Sequence, residues 1–282
     1  MDSWLLQQEP TLRVVAFFSI FLLIAVWEWW RPRRVPRHPR MQRWPANLGL
    51  VLINTLLVRL LFPMAAVVWA AQVQQQGWGL LQMWSLPSLW ALLLGVVLLD
   101  GVIYLQHVLV HALPLLWRLH QVHHADPDYD VTTGARFHPI EILLSMGIKF
   151  AAILCLAPPP AAVLLFEVIL NGMAMFNHGN ITLPLGLDRL LRWLVVTPDM
   201  HRVHHSTLPS EANSNFGFNL SLWDRLFGTY TAQPKRGHVA MEIGITTHQG
   251  PHTRSLLGML RLPWQTAQDR YALTRRWSDP DA

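Results

Sequence analysis

Three apolar runs, each long enough to cross a bilayer, commit this chain to a membrane before any other feature is weighed. They extend from Leu12 to Trp30, from about Ala46 to Gln72 and from about Leu89 to Leu113. About 20 apolar residues rising 1.5 Å each span a hydrocarbon core of ~30 Å. Inside that core every backbone N–H and C=O needs a partner within its own segment, so the runs read as helices. Composition agrees, with 52% of the 282 residues hydrophobic and 14% charged, against about 25% charged in soluble domains. The opening "MDSWLLQQEP" has no positive region, and the first run ends in "VWEWWRPRR" without a small-residue cleavage site. It therefore reads as a retained anchor.

The connections set an orientation. "RPRRVPRHPRMQR" carries six arginines and three prolines, whereas "QVQQQGWGLLQMWSLPS" has no lysine or arginine. The arginine-rich loop is expected in the cytoplasm and the glutamine-rich loop outside. The third helix then returns to the cytoplasm at His107 to Leu113. Two further apolar segments, about Pro139 to Ala157 and Ala161 to His178, are joined by "APPPAA". Proline can end one helix and start the next, which predicts a hairpin that leaves and re-enters on the cytoplasmic side, spanning or re-entrant. The expected fold is all-α: an integral membrane bundle of about three spanning helices plus a helical hairpin, with a cytoplasmic helical cap. Its expected parts are an anchor and loop over 1–45, a membrane and catalytic domain over 46–230 and a cytoplasmic tail over 231–282. The formal charge of +5 lies mostly beside apolar runs, so membrane topology explains it better than nucleic acid does. The single cysteine, Cys155, excludes a disulfide within the chain.

Against this apolar background the histidines stand out. "HQVHH" at His120, His123 and His124 recurs as "HRVHH" at His201, His204 and His205. His107 and His111 form an i, i+4 pair in "HVLVH", His178 lies in "FNHGN" and His138 in "RFHPIE". The orientation, argued from arginines alone, puts all of them on one side of the membrane. Residues at i, i+3 and i+4 share a helix face with Cβ atoms ~5–6 Å apart, so a triplet can reach one metal or two neighbouring ones. Two triplets and the pair offer eight imidazoles, too many for one tetrahedral zinc. They suit two metals with coordination to spare, and imidazole alone does not name the metal. His38, His238, His248 and His252 stand alone and read as surface or satisfied core residues.

Taken together, "DGVIYLQHVLVH", "HQVHH", "RFHPIE", "NHGN", "TPDMHRVHH" and "NSNFGFNLSLWDRLFGTY" resemble the fatty acid hydroxylase superfamily, also called the sterol desaturase family, over about Leu98 to Tyr230. The resemblance implies an integral membrane di-iron oxygenase that uses O2 and two electrons to hydroxylate or desaturate a lipid. It places the ligands of two iron ions on His107, His111, His120, His123, His124, His201, His204 and His205, with His178 as a ninth and His138 as a further candidate. The His107 and His111 pair has the three-residue spacer of the sterol oxidase, alkylglycerol monooxygenase and carotenoid hydroxylase branches, not the four of yeast-type fatty acid 2-hydroxylases. That leaves sterol, fatty acyl chain, ether lipid and carotenoid all open as substrate.

Metal-bound histidines need partners for their second ring nitrogen; Asp126, Asp128, Glu141, Asp199 and Asp224 lie near the motifs. No dinucleotide fingerprint, cysteine set or b5-like domain is present, so a separate electron-transfer protein (a reductase, ferredoxin or b5-like protein) is expected to dock. The rival from another class is a polytopic metal-ion transporter or other metal-binding membrane protein, which would hold its ligands nearer the midplane. A bis-histidine haem protein needs far fewer histidines. Finally, Arg59, Asp100, Lys149 and Glu167 fall inside the apolar segments, where ionisable groups are costly. Counting residues from the helix ends puts all four at one depth, which predicts a buried polar layer with Arg59 facing Asp100 or Glu167.

Overall fold

The computed structural model describes residues 2–62 and 64–265, with side chains from residue 7 onward; the end of the expected tail, 266–282, lies outside the described residues. The described residues are helical, with isolated bridges such as Val195 to Leu220 and no strand. Five segments are long and apolar enough to cross a membrane: Gln7–Trp30, Trp44–Met83, Ser88–Ala112, Pro139–Leu156 and Pro160–Asn177. They match the three runs and the hairpin read from the sequence.

Helix α1 covers Asp2–Trp30 and α2 Trp44–Leu61. The second run, expected as one helix, is broken: α2 stops at Leu61, and α3 covers Ala66–Gln75. The sequence supplies the cause. Phe62 precedes Pro63, and a residue before proline is pushed out of the α region; Phe62 has φ −120° and ψ 78°. Next come α4, Ser88–Ala112, and α5, Pro114–His124, whose Pro114 lacks only an N–H that the first helical turn leaves unpaired. The hairpin is α6, Pro139–Leu156, and α7, Pro160–Asn177, turning at Ala157 with φ 50°. Beyond the bundle lie α8, Leu185–Leu191, and α9, Pro198–His204, followed by irregular chain with short helical turns such as Leu222–Leu226 and Leu256–Arg261.

Helix α1 packs along α7: Ile20 meets Gly172, Ile24 meets Gly179 and Arg13 pairs with Glu167. The residue numbers rise together, so the two helices run parallel. One buried core joins α3, α4, α6 and α7 through Val67, Leu99, Ile153 and Phe166. A second seats α5 on α2 through Leu50, Trp117, Val122, Met259 and Leu262. Leu23, Leu52 and Leu93 are exposed, as lipid-facing residues should be. Because lipid is as apolar as leucine, packing and buried polar contacts hold such helices together.

The expected polar layer of Arg59, Asp100, Lys149 and Glu167 does not form; only Lys149 and Glu167 come together, with Arg13 where Arg59 was expected. Lys149 Nζ lies 2.6 Å from Glu167 Oε1, and the other oxygen of Glu167 takes Arg13, which also pairs with Glu9. Arg59 is exposed and makes no ion pair among the described residues. With α2 ending at Leu61, Arg59 sits in its last turn and not in mid-span. Asp100 meets no cation among the described residues; it accepts from Trp223 Nε1 at 2.8 Å and from Leu220 N at 3.2 Å.

Candidate metal centre

The ends of α1, α4 and α7 and the starts of α2 and α6 gather at one end of the bundle. Glu28, near the end of α1, accepts from the backbone of Val131 at 2.7 Å and Asn180 at 2.8 Å. Arg43, just before α2, grips Asp126 with two bonds of 2.7 and 2.8 Å and Asp130 with one of 2.6 Å. Arg136 donates to the carbonyl of Val122 at 2.7 Å, satisfying one of the carbonyls that the last turn of α5 leaves open. Burial alone would raise the Asp126 carboxyl, but the guanidiniums of Arg43 and Arg136 outweigh it and hold it down at about 2.

Four elements deliver histidines into this frame. Helix α4 carries His107 and His111, α5 carries His120, His123 and His124, and His178 caps the end of α7. Helix α9 begins with local signals: Thr197 caps it by accepting from Met200 N, Pro198 is its first residue and Asp199 complements its positive end. It delivers His201 and His204, with His205 next in the chain.

The nine side chains form two buried groups, in each of which the ligand atoms lie within 4.8 Å of one another: His107, His111, His120, His124 and His204 in one, and His123, His178, His201 and His205 in the other. Each H-x-x-H-H triplet is therefore divided. Successive helical residues point ~100° apart, so His123 and His124 diverge into different groups, as do His204 and His205. The i, i+4 pairs stay together. The groups adjoin where the rings of His124 and His205 stack at 4.5 Å.

Hydrogen bonds orient the imidazoles. Carbonyl oxygens of Phe216, Ala174 and Ser214 each lie 2.7 Å from Nδ1 of His107, His178 and His204. A carbonyl only accepts, so these Nδ1 atoms carry the proton and Nε2 presents a lone pair. Glu141 Oε1 holds Nδ1 of His120 at 2.6 Å, and Asn213 Oδ1 faces Nδ1 of His111 at 3.3 Å. The inward nitrogens then crowd: Nε2 of His107 and His120 are 3.2 Å apart, Nε2 of His178 and His123 3.1 Å, and Nε2 of His178 and His201 3.2 Å. Nε2 of His111, His124 and His204, Nδ1 of His123 and His201, and both nitrogens of His205 are buried without a hydrogen-bond partner among the described residues. Burial, reinforced by neighbouring imidazoles, holds His123, His124, His201 and His205 well below the usual histidine range, and brings His204 to about 3. Neutral, converging lone pairs at this spacing fit cations of about 2.1 Å bond length and leave the same nitrogens costly without one.

His138 lies in neither group. It caps α6 by accepting from Ile140 N at 3.2 Å, and its Nε2 meets Leu260 O at 3.3 Å. Among the five motif carboxylates, Glu141 alone bonds one of the nine histidines. Asp126 holds Arg43, Asp128 accepts from the backbone of Arg37 and His38, and Asp199 pairs with Arg33 and Arg202. Asp224 acts one step removed. It accepts from the N–H groups of Phe216 and Gly217, each at 2.8 Å, and so fixes the carbonyl that orients His107. Arg43 escaped sequence reading because it ends an arginine run whose other members read as topology signals. The carbonyls of Ser214 and Phe216 carry no side-chain signal at all.

A cavity of about 570 Å³ lies between α1, α2, α4, α6 and α7, lined by His107 and His120, by Phe17, Ile103, Met146 and Leu170, and by Arg13 and Lys149. Its walls are mostly apolar, and exposed Val14, Phe18 and Thr55 lie along it on the lipid-facing side.

Residues 92–229 match the family model for fatty acid hydroxylase. The chain is 31% identical over 161 residues to an ornithine lipid hydroxylase, OlsE, of Rhizobium tropici, covering 57% of this chain and 46% of that protein. It is 32% identical over 135 residues to an alkylglycerol monooxygenase of Xenopus tropicalis and 28% identical over 135 residues to that of Homo sapiens, in each case covering 46% of this chain and 28% of the relative. The chain thus spans less than half the length of these curated relatives. No solved structure matches it.

Proposed function

Residues 92–229 form a fatty acid hydroxylase domain, and from that premise we propose that the protein is a membrane-bound, O2-dependent lipid hydroxylase with a di-iron centre. The observation that carries the proposal is a pair of adjoining buried histidine groups, the first of which meets, at His107 and His120, an apolar cavity reachable from the bilayer. His107, His111, His120, His124 and His204 would hold one iron, and His123, His178, His201 and His205 the other. The bound iron pair supplies O2 activation and two-electron redox chemistry, which no side chain can offer an unactivated C–H bond. The overall change balances as R–H + O2 + 2 electrons + 2 protons giving R–OH + H2O.

The rest falls to the chain. The cavity takes an apolar chain sideways from the lipid and presents one carbon beside His107 and His120. Trp117 and Phe216 back His111 at ring separations of 5.0 and 5.1 Å, excluding water from that side. Glu141 and the carbonyls of Phe216, Ala174 and Ser214 hold the ring orientations. The two electrons come from a separate electron-transfer protein, a reductase, ferredoxin or b5-like carrier. It docks on the cytoplasmic side, where the arginine-rich loop places the histidine end of the bundle. Hydroxylation is favoured over desaturation because the relatives are named as hydroxylases and a monooxygenase.

The test is metal analysis with a visible spectrum, joined to product analysis. Close to two irons per chain, no Soret band and O2-dependent appearance of a hydroxylated lipid are expected. A chain that moves metal into liposomes and never consumes O2 would overturn the proposal in favour of transport.

A further inference from the structure

The two ends of the cavity differ in chemistry. At the far end its cations, Arg13 and Lys149, are already neutralised by Glu9 and Glu167. Lys149 lies eight residues beyond Glu141 along α6, about 12 Å down the helix. Toward the histidines the cavity is bordered by acceptors that have no donor among the described residues. Asn54 is 92% buried; its Nδ2 donates to Phe137 O at 3.0 Å, but its Oδ1 has no partner. Glu141 is equally enclosed, with Oε1 on His120 and Oε2 unpartnered. Gln106, next to His107 on α4, has a buried and unpartnered Oε1. All three residues line the cavity together with His107 and His120. Asn54 belongs to the same end because the Phe137 ring, whose carbonyl it holds, stacks on His123 at 4.4 Å.

A buried acceptor without a donor is costly, and three around one end of the cavity describe what should fill it. We propose that Asn54, Gln106 and Glu141 form a subsite for the neutral or cationic hydrogen-bond donors of a lipid, such as hydroxyl, amide N–H or ammonium groups, beside the carbon to be oxidised. A free carboxylate or phosphate is rejected there. It would bring lone pairs against lone pairs and a charge against Glu141, and no lysine or arginine among the described residues lines this end. The lipid therefore enters with its donor-bearing portion at the histidines and its apolar chain toward Arg13 and Lys149. This inference rests on the lipid-hydroxylase reading for its purpose, but the subsite is a binding property that the chain shows without turnover.

The experiment measures equilibrium binding of two probes, hexadecane-1,2-diol and its di-O-methyl ether, to the full chain in phosphatidylcholine nanodiscs. The ether keeps the chain and the oxygens and loses both donors. The diol should bind the wild-type chain about tenfold more tightly, from two hydrogen bonds of ordinary net strength. Gln106→Leu combined with Asn54→Leu should bring the ratio close to one by weakening the diol, with the ether still bound. Gln106→Glu and Asn54→Asp keep an acceptor and should keep the preference. Asn54→Asp loses the bond to Phe137 as Asn54→Leu does, so their comparison isolates the acceptor from the packing. Equal binding of the two probes by wild type, or an undiminished preference in the double leucine variant, would overturn the subsite and leave water as its occupant. If the leucine variant does not fold, loss of preference in the two acidic variants is the overturning result. A chain that prefers the diol but hydroxylates no lipid would overturn the enzymatic reading and leave the subsite standing.

Discussion

The Nδ1 atom of His120 donates to Oε1 of Glu141 across 2.6 Å, twenty-one residues along the chain and on a different helix. The bond fixes which ring nitrogen faces inward, since the proton stays on the side of the carboxylate. Partners of this kind typically contribute 10–100-fold to metal affinity. Glu141→Gln keeps an oxygen acceptor and removes the charge. A fall of about tenfold in iron affinity is expected, measured by competition with a chelator, with the helical circular dichroism spectrum unchanged.

Neighbouring histidines should report on different metals. His123 and His124 are consecutive yet belong to different groups. His123→Ala should destabilise the metal held with His178, and His124→Ala the one held with His111. Each substitution should reduce bound iron from about two toward one and abolish product formation. Membrane insertion should persist in both, because apolar transfer drives it. Retention of full O2-dependent product formation in either variant would refute that ligand assignment.

Gly134 has no room for a methyl group. A Cβ there would lie 2.4 Å from the carbonyl oxygen of Ala174 and 3.2 Å from Nδ1 of His178, the two atoms that form the bond orienting that ring. Gly134→Ala must shift the backbone of α7 or the ring. We expect iron content near one per chain in this variant, with the loss at the His178 group, read from the metal-to-protein ratio after purification.

Acid should act through Asp126. Its folded value is about 2, below the ~3.9 of an unfolded aspartate, so the fold favours the charged form. The stabilisation is complete above about pH 4 and is lost as pH falls through about 2. Arg43→Ala leaves Asp126 and Asp130 buried without their main cation, which should cost about 3–5 kcal/mol. It should also move the acid unfolding midpoint upward, followed by tryptophan fluorescence during pH titration.

The membrane-depth ion cluster should be strongly non-additive. Glu167→Leu strands Lys149 in the bundle and leaves Arg13 with Glu9 alone. Lys149→Leu together with Glu167→Leu removes the pair as a unit. The double variant is expected to unfold at a higher temperature than Glu167→Leu alone, since breaking a buried pair costs more than replacing it with apolar residues. Equal unfolding temperatures would show that the pair is not coupled.

What the sequence determined by itself was local and periodic. Apolar length specified the spans, and proline placed the starts of α5, α6, α7 and α9. The i, i+3, i+4 spacing put the triplet histidines on helix faces that can meet a metal. The break at Phe62 was legible in Pro63, although the apolar run around it reads as continuous. The tertiary structure decided what depends on elements far apart in sequence. It divided each triplet between two groups, because neighbouring side chains on a helix diverge and the facing helices receive them separately. It gave Glu167 the unforeseen Arg13, 154 residues away, since the parallel packing of α1 on α7 sets which depths coincide. It left His138 as a helix cap, and it turned the carbonyls of Phe216, Ala174 and Ser214 toward the imidazoles. Every residue carries such a carbonyl, so no sequence pattern marks the few that the fold aims at a histidine.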